Sequence, residues 1–277
     1  MPANPPATLL QPDQINRFRE QGYLIVRRVF DTEAIERLRQ GYTYVEELAG
    51  RPDLDPQYTT GKGPEVHIHI QAPAGAADAA ATRYLRKIQW PAFLHPAFEA
   101  FRTSPIWPAL LRPLIGDSLK QYINQINFKM PGGGIDFPWH QDIRPTPAFS
   151  DQVKTYVQSV TLVDAATVAN GCLQIVPGSH RLGDLKAKRY AKGQIEEQVD
   201  VAQAVAVEGE PGDVVLFTPY TVHGSSPNTT DSPRRSYING FVRAAACTVG
   251  KWAFLAGKPV PLTGDHDYHA IRYTGTH

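Results

Sequence analysis

The chain has 277 residues, 42% of them hydrophobic, with 28 Lys and Arg against 27 Asp and Glu. This is enough apolar material for one substantial core, and a formal charge of +1 without a basic, aromatic-laced run excludes a nucleic-acid surface as the expected function. Two cysteines, Cys172 and Cys247, are too few for a disulfide scaffold, and no segment is long and apolar enough to span a bilayer. A proline-rich start, Met1 to Gln11, lacks the basic then apolar order of a secretory leader, so a soluble, cytoplasmic protein is expected.

In chain order, Pro12 to Phe18 predicts a helix that Gly22 ends, and Tyr23 to Val29 a short strand. Asp31 is a plausible N-cap for a second helix in which Ala34 or Ile35, Leu38 and Tyr42 recur near helical spacing. Gly50 to Gly63 reads as a polar loop, Ala72 to Ala81 is alanine-rich, and Phe93 to Ile115 suggests two short helices separated by Pro105 and Pro113. Beyond Leu119, strands dominate. Alternation from Gln121 to Lys129 places Gln125, Asn127 and Lys129 on one face, with Tyr122, Asn124, Ile126 and Phe128 on the other. No internal repeat or linker argues for two domains. The expectation is a single catalytic domain over 1–277, with a helical layer and peripheral strands to about 118, a core from about 119 to 250, and a C-terminal extension over 251–277.

The chemistry concentrates at Trp139-His140-Gln141-Asp142. On an extended segment, side chains at i and i+2 share a face, so His140 and Asp142 can grip one ion while Gln141 points away. A distant His223, leading out of the buried strand Val214 to Phe217, supplies a second imidazole. Two histidines and one carboxylate suit non-haem Fe(II) and leave positions open for a cosubstrate and dioxygen. Two competing histidine readings are weaker. His180 closes Pro177-Gly178-Ser179-His180, and His67 and His69 alternate on one strand face without a further ligand at structural-zinc spacing.

These motifs, with Asn127-Phe128-Lys129, Asn170-Gly171-Cys172-Leu173, Gly212 to Phe217, His223 to Asn228 and Pro233-Arg234-Arg235, resemble the phytanoyl-CoA dioxygenase-like branch of the Fe(II)/2-oxoglutarate-dependent oxygenases over most of the chain. The resemblance implies a mainly β double-stranded β-helix, that is, a jelly roll of cupin-like form, behind an N-terminal helical layer. It also implies Fe(II), 2-oxoglutarate and O2, with His140, Asp142 and His223 as metal ligands and catalytic centre. Arg234, eleven residues after His223, matches the family's cosubstrate arginine. A guanidinium fork suits the distal carboxylate of 2-oxoglutarate, and adjacent strand residues face oppositely, so only one of Arg234 and Arg235 can turn inward. Asn127, Thr161 and Ser225 match further cosubstrate-binding positions. The carboxylate Asp142 favours hydroxylation over halogenation within such enzymes. Ile123 departs from the polar residue of ectoine hydroxylases, which argues against copying their substrate contacts.

The expected substrate is a small polar metabolite, carboxylate or phosphonate in character, hydroxylated at an unactivated C–H bond with release of succinate and CO2. Arg144, Gln125 and Lys129 are its candidate contacts, and Gly61-Lys62-Gly63-Pro64 a candidate flap; a rim merely decorated by basic residues is the competing reading. The alternatives are a hydroxylase of a larger natural product, a non-oxidative cupin-like metal-binding protein, or a zinc or manganese hydrolase or isomerase. Nothing in the sequence fixes the oligomeric state.

Overall fold

The computed structural model describes residues 8–55, 57–60, 66–71, 84–131, 136–143, 155–187, 192–248 and 250–262. Helix α1 (Pro12–Gln21) begins on a proline and ends at Gly22, whose φ of +77° requires glycine. A Cβ there would also strike His180 Nδ1 at 2.3 Å. Strand β1 (Tyr23–Val26) leads to α2 (Thr32–Ala49), where Asp31 Oδ1 accepts a capping bond from Ala34 N at 2.8 Å. Ile35, Leu38, Tyr42 and Val45 form the buried stripe of α2. The short α3 (Gln57–Thr60) precedes β2 (His67–Gln71) and β3 (Tyr84–Gln89), followed by α4 (Pro96–Arg102) and α5 (Ile106–Ile115). Pro113 lies inside α5 rather than ending it. The reason is local: a proline has no N–H for the Ala109 carbonyl, and Leu9 N donates to that carbonyl instead, at 2.9 Å.

The remaining strands are β4 (Leu119–Lys129), β5 (Phe137–His140), β6 (Tyr156–Leu162), β7 (Leu173–Ile175), β8 (Val205–Val207), β9 (Val214–Phe217), β10 (His223–Ser225), β11 (Arg234–Arg243), β12 (Lys251–Leu255) and β13 (Lys258–Pro259). They form a large antiparallel sheet, β1-β9-β6-β11-β4-β12-β13 with β3 also paired to β4 and β2 paired in turn to β3, and a small sheet, β5-β10-β7-β8. The mainly β, two-sheet jelly roll expected from the resemblance is therefore present. Register separates the two faces of the large sheet. Val26, Val214, Tyr237, Ile126, Ile88 and Ile68 lie in one row and pack with the helices, beside Tyr42, Phe98, Phe101 and Trp107. Val160, Leu162, Val215 and Phe217 face the other way, toward Ile175 and Val207 of the small sheet.

Two expectations need correction. A bulge in β4 between Gln121 and Ile123 breaks the alternation, so Tyr122 leaves the helix-facing row and clusters with Tyr156, Val242, Ile143 and Tyr220. Part of the stretch expected as a C-terminal extension, Lys251–Leu255, instead enters the large sheet as β12. Fully buried Arg102 pins it, donating to the Trp252 and Val260 carbonyls at 3.0 and 2.7 Å while forking onto Glu99. Cys172 and Cys247 are both buried, and no helix among the described residues is long and apolar enough to cross a membrane.

Candidate metal and cosubstrate site

Strands β5 and β10 run antiparallel with His140 directly opposite His223, which brings the two rings to 4.2 Å between centroids. His140 Nδ1 lies 2.8 Å from the Pro138 carbonyl and His223 Nδ1 2.9 Å from the Thr221 carbonyl. A carbonyl only accepts, so each Nδ1 carries the hydrogen and each Nε2 the lone pair. Both Nε2 atoms point at one carboxylate: His140 Nε2 is 3.8 Å from Asp142 Oδ1, and His223 Nε2 is 3.8 Å from Asp142 Oδ2. The three ligand-type atoms lie within 4.8 Å of one another, and all three residues are buried. Asp142 sits just past the end of β5, where its own N and that of Ile143 donate to the Pro219 carbonyl at 2.9 and 3.1 Å. Gln141 turns away and is fully engaged, donating to the Gly183 and Tyr220 carbonyls and accepting from Leu185 N. Two nitrogens and a hard oxygen, tautomer-fixed and mutually close, fit Fe(II) well.

A cationic end lies beside this triad. Arg234 opens β11 directly opposite Lys129, the last residue of β4, and both are buried. Arg235 faces the helices, where Asp164 holds it with two oxygens at 2.8 and 2.9 Å. Arg234 Nε, by contrast, is buried without a hydrogen-bond partner in the protein. Burial pushes the Arg234 guanidinium down to about 10, which leaves it charged at neutral pH. Burial, reinforced by the nearby Arg234 charge, pushes Lys129 down to about 7. Lys129 Nζ donates to Ser225 Oγ at 2.7 Å and to the Gly171 and Ser226 carbonyls. Asn228 Nδ2 in turn holds the Lys129 and Ser232 carbonyls, each at 2.8 Å, fixing the turn that delivers Arg234. An orphaned buried guanidinium N–H next to a second buried amine suits a carboxylate ligand.

The other expected residues divide. Gln125 and Asn127 lie on the inner face, joined by a 2.6 Å bond from Gln125 Nε2 to Asn127 Oδ1. Ser225 is at the cationic end, as described. Thr161 is a correction: it stands opposite Tyr237 and Val214, in the helix-facing row, on the reverse side of the sheet from Asn127, Ser236 and Leu162. Lys129, expected at the substrate, is instead bound up beside Arg234. Arg144 and the Gly61–Pro64 flap lie outside the described residues, as does Ala72–Ala81. His180 is not part of the triad cluster, and its Nε2 lies 3.0 Å from the Arg19 carbonyl. Sequence reasoning gave no role to Asn228 or Pro219; only the position of Asn228 at the end of the His223–Asn228 motif hinted at it.

This constellation within two facing sheets defines a mononuclear metal enzyme of the double-stranded β-helix class. Residues 18–236 match the model of the phytanoyl-CoA dioxygenase (PhyH) family. A methylphosphonate hydroxylase from Gimesia maris is 31% identical over 230 residues, covering 83% of this chain and 79% of the relative. An ectoine dioxygenase from Sphingopyxis alaskensis is 25% identical over 243 residues, covering 80% and 72%. Among solved structures, EctD from S. alaskensis with 2-oxoglutarate and 5-hydroxyectoine superposes with a TM-score of 0.69 at 20% identity, over 94% of this chain and 91% of that one. The chain belongs to the phytanoyl-CoA dioxygenase family. It is an Fe(II)/2-oxoglutarate-dependent dioxygenase, with O2 as the second cosubstrate.

Proposed function

We propose that the chain is a single-domain hydroxylase of a small polar, anionic metabolite, phosphonate in character, with His140, Asp142 and His223 as the iron ligands and catalytic centre. The observation that carries this reading is the convergence of three buried ligand atoms within 4.8 Å beside a buried arginine whose Nε lacks a protein partner. Arg234 receives the distal carboxylate of 2-oxoglutarate as a fixed fork, and Ser225 and Lys129 lie at the same end to complete its polar shell. Asn127, held by Gln125, presents its amide toward the same space. When bound, iron with 2-oxoglutarate and O2 supplies the oxidant that hydroxylates an unactivated C–H bond, with succinate and CO2 as coproducts.

The protein's part is positioning and exclusion of water. The Pro138 and Thr221 carbonyls hold both imidazoles in the tautomer that can ligate, and the Pro219 carbonyl anchors the backbone of Asp142, so the ligand set is preformed. The apolar wall of Val160, Leu162, Ile175 and Phe217 lowers the local dielectric around the charged groups. The phosphonate character of the substrate is supported by the similarity to methylphosphonate hydroxylase and to a 2-aminoethylphosphonate dioxygenase. Anaerobic addition of Fe(II) and then 2-oxoglutarate is expected to give a saturable visible charge-transfer band, which His223→Ala abolishes. Folded, metal-loaded protein that gives no band would remove the reading in favour of a hydrolase or a binding protein.

A further inference from the structure

The hairpin of β2 and β3 extends the large sheet beyond β4, and its register continues the inner face. Asn127 stands opposite Lys87 and Gln125 opposite Gln89; Lys87 and Gln89 stand in turn opposite His69 and His67. Directly opposed residues share a face, so His67, His69, Lys87 and Gln89 lie on the side that carries Asn127, Ser236 and Arg234. The alternate residues confirm the sense of the face, since Ile68 and Ile88 are fully buried in the helix-side core with Ile126.

A bulge adds a further cation. The register of β2 against β3 shifts between His69 and Ile70, so that Arg86 is the extra residue between Leu85 and Lys87. The bulge re-aims it: the Arg86 guanidinium carbon is 5.2 Å from the ring centroid of Phe137, on the strand of the small sheet that ends in His140. The His67 and His69 rings lie side by side at 3.7 Å between centroids. One wall thus gathers a guanidinium, an ammonium and two imidazoles next to the amides of Gln89, Gln125 and Asn127.

We propose that this hairpin wall, His67, His69, Arg86 and Lys87, is the recognition site for a tetrahedral oxyanion on the substrate, a phosphonate. This rests on the reading of the triad and Arg234 as the dioxygenase centre and names the element that selects the substrate there. A compact tetrahedral dianion has oxygens in several directions, which suits cations and N–H donors arriving from adjacent strands. It also separates the two anions by address: 2-oxoglutarate at Arg234 and Lys129, the phosphonate at β2 and β3. The wall lies beside Asn127 and Gln125, and the substrate's C–P carbon is thereby held on the inner side of the sheet that faces the triad.

The test is calorimetric titration of the anaerobic holoenzyme, loaded with Fe(II) and 2-oxoglutarate, with methylphosphonate, 2-aminoethylphosphonate, inorganic phosphate and ectoine. At least one phosphonate is expected to bind, and Lys87→Met and Arg86→Met each to weaken it ten-fold or more. His69→Gln, which keeps a hydrogen-bonding side chain, provides a third variant should either of those fold poorly. Thermal stabilisation by 2-oxoglutarate is expected to be unchanged in all three. Phosphonate binding as tight in the variants as in the parent overturns the proposal, as does a holoenzyme that binds ectoine or inorganic phosphate but neither phosphonate. A parent that binds phosphonate yet gains no stability from 2-oxoglutarate keeps the wall and removes the dioxygenase-site assignment instead.

Discussion

Replacing Arg234 with Met separates a cosubstrate residue from a structural one, because the two roles predict opposite effects on the empty protein. The arginine is buried, its Nε has no protein partner, and burial already disfavours its charge. A methionine of similar length removes that penalty, so the apoprotein is expected to change by no more than about 1 kcal/mol, in either direction. With 2-oxoglutarate the balance reverses. Two charge-assisted bonds at roughly 1.5–3 kcal/mol each, less what water recovers, make a loss of about 3 kcal/mol, or about 100-fold in affinity. At a ligand concentration of about 100 times the parent Kd, linkage stabilises the parent by about 2.7 kcal/mol and the variant by about 0.4 kcal/mol. For a chain of this size that is a Tm increase of about 5–10 °C against about 1 °C. Differential scanning calorimetry of the apoproteins, and of the Fe(II)-loaded proteins with and without 2-oxoglutarate, reads both quantities. An Arg234→Met apoprotein destabilised by more than about 3 kcal/mol, or a variant that keeps the full ligand-induced shift, would refute the reasoning.

Other outcomes follow from the same geometry. Asp142→Ala removes the shared carboxylate between the two imidazoles, and its loss of iron affinity should exceed the ~10–100-fold typical of changes outside the ligand shell, as read by competition with a metal indicator. Lys129, pushed down to about 7 by burial and by Arg234, sits below the usual 10.5 of the unfolded chain. The unfolded state therefore binds more protons between those values, and the destabilisation due to Lys129 is complete below pH 7 and fades as pH rises toward 10. The same group should take up a proton when 2-oxoglutarate binds at pH 8; calorimetry in buffers of different ionisation enthalpy should show the uptake in the parent and not in Lys129→Met. Gly171 has φ +71°, and a Cβ there would lie 2.2 Å from the Ser226 carbonyl and 2.8 Å from Lys129 Nζ. Gly171→Ala is expected to cost at least about 2 kcal/mol in urea unfolding and to weaken 2-oxoglutarate with it.

The parts of the site legible in the sequence were those written in period-two patterns beside strong turn residues. His140 and Asp142 are two apart at a strand end, and Gln125 and Asn127 alternate with Ile126 and Phe128. What escaped was the sign of the face wherever a strand is buried on both sides. Every residue of β6 is buried, so nothing in Ser159-Val160-Thr161-Leu162 distinguishes inward from outward, and Thr161 fell on the wrong side. The bulged segments around Tyr122 and Arg86 themselves contain no glycine or proline, the one glycine at the first, Gly240, lying on the partner strand, and each bulge re-aims a side chain by one position. Lys129 was placed on the inner face, but its closeness to Arg234 was not foreseen. Its position directly across from Arg234 depends on a pairing between β4 and β11 that only the folded sheet reveals.

The placement of β1 sets the order in which this chain can be completed. Tyr23–Val26 are made long before their partner, Val214–Phe217, a four-residue apolar strand far along the chain. Until the two meet, Val-Val-Leu-Phe is an open sheet edge with high β-propensity and no charge, the kind of segment that recruits other chains. Folding is thus governed by a late, long-range closure rather than by local structure. The N-terminal strand acts as a guard against self-association, and a chain begun at Asp31 should pellet as aggregate on centrifugation even with the whole metal site intact. Recovery of a soluble monomer from it would show that β9 is protected by other means.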